Sequence, residues 1–112
     1  MERKFDSITV YNYNIIIDEL RFEWDENKNS INKRKHKVSF EEAKSVFEDV
    51  EALIIDDPEH SEQEERFIIM GFSSKARLLV VCHCYRANET IIRIISARKA
   101  TERESMQYRA ML

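Results

Sequence analysis

The chain has 112 residues, 43% apolar and 35% charged, with one glycine, one proline and a formal net charge of −3. That length supports one domain with one core, and that apolar content excludes a disordered chain. The single Gly and Pro exclude a glycine-rich phosphate loop, a collagen-like repeat and a proline-rich linker. No apolar run is long enough to span a membrane, and no long apolar stretch follows Met1–Asp6, so neither a membrane span nor a signal peptide is expected.

Residues 8–17 are β-branched and aromatic and predict a strand. Arg21-Phe22-Glu23-Trp24 predicts a second, short one, with Phe22 and Trp24 on the opposite face from Arg21 and Glu23. Asp25 is placed to cap a helix running to about His36. That helix is very polar, so it is expected on the surface, anchored by Trp24 and Ile31 and exposing Lys28, Lys33, Arg34 and Lys35. Ser39 and Glu42 form a capping-box pattern that opens a helix from Phe40 to about Glu48, with Phe40, Ala43, Val46, Phe47 and Val50 as its apolar stripe. Ala52 to Ile55 predicts a strand, and Asp56 to Glu64, with Pro58, a polar loop. Arg66–Phe72, Arg77–Tyr85 and Thr90–Arg98 predict three strands joined by short turns, an antiparallel meander. Thr101 and Glu104 form a second capping box, for a C-terminal helix to about Met111. Two helices, a meander and a helix make an α+β domain. No repeat or linker divides it. Cys82 and Cys84, two apart on a strand, suit reduced buried thiols of a cytosolic protein.

The charge is unevenly spread. Glu41–Glu65 has 11 acidic residues against one base, a net of −10, whereas Arg66–Leu112 has nine bases against three acids, a net of +6. The distribution, more than the total, bears on nucleic-acid binding. The acidic block reads equally as a solvated loop.

Two constellations bear on chemistry. Lys35-His36-Lys37 ends a helix, where the dipole favours cations. A cationic imidazole beside two lysines suits phosphate binding or proton donation; on spacing alone the simpler reading is that His36 caps the last carbonyls. The second is the set of strand arginines, Arg77, Arg86, Arg93 and Arg98. Strict alternation would put Ile92, Ile94, Ser96 and Arg98 on one face and Ile91, Arg93, Ile95 and Ala97 on the other. A guanidinium can grip a phosphate with two hydrogen bonds and stabilise developing charge. It can equally pair with the acidic block, Glu64 and Glu65 in particular. Metal binding is not expected: His83 faces away from Cys82 and Cys84, so the three cannot chelate one ion, and His60 is an isolated loop histidine. A serine triad lacks a nucleophile elbow. Tyr11 and Tyr13, with Asn12 and Asn14, suit a stacking face or an exposed edge strand.

The order Phe22-x-Trp24-Asp25, Lys28, Asn32, Lys35-His36-x-Val38-Ser39-Phe40-Glu41-Glu42-Ala43, Val46-Phe47-x-Asp49, Glu65-Arg66-Phe67, Gly71, Ser73, Arg77-Leu78-Leu79-Val80-Val81, Arg93-Ile94-Ile95-Ser96-Ala97-Arg98-Lys99-Ala100-Thr101, Glu104 and Tyr108 resembles the BrnT family of type II toxins. The resemblance covers about residues 21–108. It implies a small α+β domain of RelE-like architecture over residues 21–112, with residues 1–20 as an N-terminal extension. It implies a cytoplasmic, metal-independent endoribonuclease that needs no cofactor, cuts RNA and halts growth. The implied partner is a BrnA-like antitoxin, in a 2:2 complex that meets DNA only through the antitoxin. On this view Arg66, Arg77 and Arg98 grip the phosphate, and His36, Glu65 or Tyr108 exchanges protons. Lys33, Arg34, Lys35 and Arg93 contact the RNA backbone. The alternative is a non-enzymatic or catalytically degenerate binding module acting through its partner. Two departures stand out: Lys37 replaces the family's usual glycine, and residues 1–20 precede its usual start.

Overall fold

The computed structural model describes residues 21–56 and 65–112. In chain order these form β1 (Arg21–Glu23), α1 (Glu26–His36), α2 (Phe40–Ser45) continued by a 3-10 turn (Val46–Glu48), β2 (Leu53–Asp56), β3 (Phe67–Phe72), β4 (Leu78–Arg86), β5 (Ile91–Lys99) and α3 (Glu102–Ala110). The expected strand over 8–17 with Tyr11 and Tyr13, and loop residues 57–64 with Pro58, His60 and Glu64, lie outside the described residues. No described helix is long and apolar enough to cross a membrane.

The strands make one sheet in the order β1-β5-β4-β3-β2. From β2 to β5 the pairing is antiparallel, and short turns join β3 to β4 and β4 to β5. β1 adds a parallel edge to β5, with Phe22 opposite Ile92 and Glu23 opposite Arg93. The architecture is therefore the expected α+β one. In the β4–β5 turn Ala87, Asn88 and Glu89 all have positive φ although none is glycine, and Thr90 Oγ1 closes the turn by donating to Ala87 O at 2.7 Å. The core lies on one face of the sheet, where Val38, Phe40, Ala43, Val46 and Phe47 pack on Ile69, Leu79, Val81, Ile92, Ile94 and Ala97.

Three sequence expectations change. Val50 is not part of the α2 stripe: the helix has ended and its side chain is 65% exposed. Ile31 does not anchor α1, being 51% exposed. Its place is taken by two buried asparagines. Asn29 Oδ1 accepts from Phe40 N at 2.9 Å. Asn32 accepts from Ala97 N at 3.2 Å and donates to Ala97 O and Val38 O at 2.7 and 2.9 Å. Asn32 thus pairs with β5 as a strand residue would, and Trp24 packs edge-on to Phe40 as expected. Finally, β5 does not alternate strictly. Cys82 pairs with Ser96 and His83 with Ile94, which leaves Ile95 as the extra residue of a bulge. The bulge puts Ala97 on the core side with Ile92 and Ile94, and turns Ser96 and Arg98 to the face that bears Arg93.

Candidate functional site

The cationic end of α1 is built by its stop signal. Lys33, Arg34, Lys35 and His36 form the last turn. Lys37 then adopts the left-handed conformation (φ 61°, ψ 31°), and its N–H donates to Lys33 O. Glycine would enter that conformation without strain. Lysine compensates in part by donating from Nζ to Arg34 O at 3.3 Å, so it is Lys37, rather than His36, that caps the helix. His36 is half-buried and makes no side-chain hydrogen bond among the described residues.

Arg77 joins this helix end to the sheet. It sits just before β4, on the side that carries α1 and α2. Its Nε donates to Glu42 Oε2 at 2.9 Å, its Nη2 makes a very short bond to Glu42 Oε1, and the same Nη2 donates to Lys37 O at 2.9 Å. Glu42 is buried on α2 and also accepts from the Ser73 hydroxyl at 2.7 Å. Hydrogen bonds from Arg77 hold the Glu42 carboxyl below its ordinary pKa, against the opposing pull of burial, and Glu42 in turn raises that of Arg77. Only half of the Ser39 capping box forms: Ser39 Oγ accepts from Glu42 N, while the Glu42 side chain is committed to Arg77 and Ser73. Nε and Nη2 are fully engaged, so the two protons on Nη1 remain without a partner among the described residues.

The remaining candidates spread over the sheet. Arg98 lies opposite Val80 on the other face and forms a two-pronged pair with Glu104, both bonds 2.9 Å. Glu104 closes a complete capping box with Thr101, and its pKa is lowered to about 2, chiefly by Arg98. Arg93 pairs with Glu23 at 2.9 Å, five residues from Arg98. The phenol of Tyr108 is buried and donates to Asp49 Oδ2 at 2.8 Å; burial and that carboxylate push its pKa up. Glu65 and Arg66 precede Phe67, which pairs with His83 at the end of β4 away from Arg77. Five strand steps separate that end from Phe72, about 17 Å.

The structure therefore brings Lys33, Arg34, Lys35, His36 and Arg77 to one end of the helix-covered face. It places Arg98 on the opposite face at the same sheet end, and sets Arg93, Glu65 and Arg66 apart. The arginines are paired as one sequence alternative expected: Arg77 pairs with Glu42 of the acidic block, whereas Arg98 and Arg93 pair with Glu104 and Glu23 outside it. Glu42, Ser73, Asp49 and the two asparagines are the organisers that sequence reasoning left out of the site. Glu42 stood in the sequence as a capping-box residue, which pointed to a different bond, and as one of the residues that carry the family resemblance. Among the described residues no three His, Cys, Asp or Glu side chains group as a metal site. Cys84 is buried and Cys82 half-buried.

Fold and site together define a small α+β protein with a cationic helix end and an arginine held at one end of a meander sheet. The chain belongs to the BrnT family: the model of the ribonuclease toxin, BrnT, of type II toxin-antitoxin systems matches residues 24–104. It is thus a family ribonuclease toxin, whose counterpart is an antitoxin. The fold is similar to the crystal structure of the Brucella abortus ribonuclease toxin, BrnT, with a TM-score of 0.59 and 19% identity, covering 74% of this chain and 99% of that one. No curated protein matches the chain.

Proposed function

We propose that the chain is a metal-independent endoribonuclease that arrests growth by cutting RNA at the sheet end where Arg77 meets the last turn of α1. The observation that carries this reading is the guanidinium of Arg77, fixed on one edge by Glu42 and the Lys37 carbonyl, with Nη1 left for a ligand beside the cationic turn. In this reading the RNA 2′-hydroxyl attacks the adjacent phosphorus and the P–O5′ bond breaks. The products are a 2′,3′-cyclic phosphate and a free 5′-hydroxyl. Nη1 of Arg77 meets the non-bridging oxygens as charge develops on them. His36, whose side chain makes no hydrogen bond among the described residues and which stands beside two lysines, exchanges the proton. Lys33, Arg34 and Lys35 hold the backbone without reading sequence. Glu65, Arg66 and Arg93, being remote, serve flanking nucleotides. Arg98 and Tyr108 act through the placement of α3. Residues 21–112 form the toxin domain, in the cytoplasm, neutralised by a BrnA-like antitoxin in a 2:2 complex that reaches DNA through the antitoxin.

The test is purified protein incubated with RNA in excess EDTA. Cleavage to cyclic-phosphate ends, reduced about 100-fold or more in Arg77→Ala, is the expected result. A second reading, a binding module without catalysis, is favoured by the fact that Arg77, Arg93 and Arg98 are each already paired with a carboxylate. Intact RNA together with tight antitoxin binding would establish that reading instead.

A further inference from the structure

We propose that Glu42 is the positioning residue of the site: a buried carboxylate that holds the Arg77 guanidinium in one orientation, with Ser73 fixing the carboxylate in turn. This inference rests on the reading of Arg77 as the phosphate-facing group. Arginine has a long side chain with many rotamers, and an exposed guanidinium would sample them freely. Here three constraints remove that freedom. Nε and Nη2 both meet Glu42, and Nη2 also meets the Lys37 carbonyl, which the left-handed turn aims at it. Glu42 itself cannot swing away. It lies in the first turn of α2, is buried, and has Oε2 bonded by Ser73, whose Oγ also accepts from Lys75 N at 3.1 Å. Ser45, three residues on, ties the same turn to α2 by accepting from Ser74 N at 2.8 Å while donating to Glu42 O at 2.6 Å.

A carboxylate placed only to stabilise the fold would not need a partner with an exposed edge. The side chain of Arg77 is 30% exposed and that of Glu42 only 2%. The pair is therefore asymmetric: the acid is sealed, and the base, whose Nη1 is unengaged among the described residues, is partly exposed. Glu42 also sits where it lowers the charge that Arg77 presents. The arrangement exchanges charge for orientation, which suits a group that must meet a transition state more than a group that merely attracts a polyanion.

Two readouts separate this inference from the ribonuclease reading. The first is the Arg77 Nε–H resonance in nitrogen-15 NMR. In the parent protein it should be resolved and slow to exchange, and in Glu42→Gln it should merge with the exposed arginines while the Arg98 signal stays put. The second is steady-state RNA cleavage. Glu42→Gln should lower kcat about 10- to 100-fold, with KM changed much less, because a misplaced group loses transition-state contacts before it loses attraction. Ser73→Ala should move both readouts in the same direction by a smaller amount, and serves if Glu42→Gln does not fold. Glu48→Gln, an exposed carboxylate on the adjoining turn, should move neither. An Arg77 signal that persists unchanged in both variants overturns the inference, as does a mobile Arg77 with undiminished kcat. A parent protein that leaves RNA intact defeats the ribonuclease reading, while the NMR comparison still decides whether Glu42 orders Arg77.

Discussion

His83 shows how far one residue can depart from what its type suggests. It is fully buried, packed edge-on to Phe47 and Tyr85 at 4.9 and 5.3 Å and tilted against Phe67 at 6.1 Å. Its Nε2 has no hydrogen-bond partner among the described residues, and its Nδ1 is 3.5 Å from Val81 O, beyond ordinary hydrogen-bond length. Burial lowers its pKa from 6.5 to about 4. The folded protein therefore keeps His83 neutral while the unfolded chain takes up a proton, and the unfolded state gains as pH falls below 6.5. Stability should drop by about 2 kcal/mol between pH 7 and pH 5, before the carboxylates titrate. Urea melts at the two pH values measure this. His83→Phe should flatten the difference and, by removing an unsatisfied buried nitrogen, raise the midpoint at pH 7. An unchanged pH dependence in that variant would show that another group is responsible.

At the scale of elements, α1 is held by hydrogen bonds where most surface helices are held by an apolar stripe. Asn32 satisfies both backbone groups of Ala97, two residues past the bulge and beyond Arg93, where the pairing of β5 with β1 ends. Asn32→Ala should destabilise the protein by about 2–4 kcal/mol, since it orphans buried backbone groups. Asn27→Ala on the exposed side should change it by about 0.5 kcal/mol or less. Chemical denaturation of the pair checks both. Gly71 is a comparable fixed point: a Cβ there would lie 2.9 Å from Ala52 Cβ and from Asp49 Oδ2, the atom that accepts from Phe72 N and the Tyr108 hydroxyl. Gly71→Ala should therefore cost about 1–3 kcal/mol, through displacement of the carboxylate that ties α3 to β3. Element boundaries were legible in the sequence because they rest on local chemistry: Asp25, Ser39 and Thr101 all cap as their types require. The bulge at Ile95 and the burial of Asn29 and Asn32 were not legible. Each depends on a strand or loop distant in the chain, and a buried asparagine has the same spelling as an exposed one.

At the scale of the molecule, the acidic block is partly internal. Glu42 and Asp49 are consumed by Arg77, Ser73, Phe72 N and Tyr108, whereas Glu41 is exposed, its pKa lowered by a backbone hydrogen bond and Asn29 at the start of α2. A count of charges along the sequence overstates what RNA would meet, just as it overstated the free arginines. The last turn of α1 is exposed at the site end. Its three cations, Lys33, Arg34 and Lys35, form no ion pair among the described residues. If they neutralise RNA phosphates, binding should weaken steeply with salt, with a slope in log–log form of about 0.7 per phosphate for a single strand. Replacing all three with alanine should then reduce that slope by about 2 while leaving the fold intact, because the lost helix-end interactions amount to about 1 kcal/mol or less each. Fluorescence anisotropy with a short single-stranded RNA across a salt series, alongside a melt of the same variant, provides the comparison. A slope identical to the parent's would move the RNA path off α1 and onto the opposite face, where Arg98 and Arg93 share one side of β5.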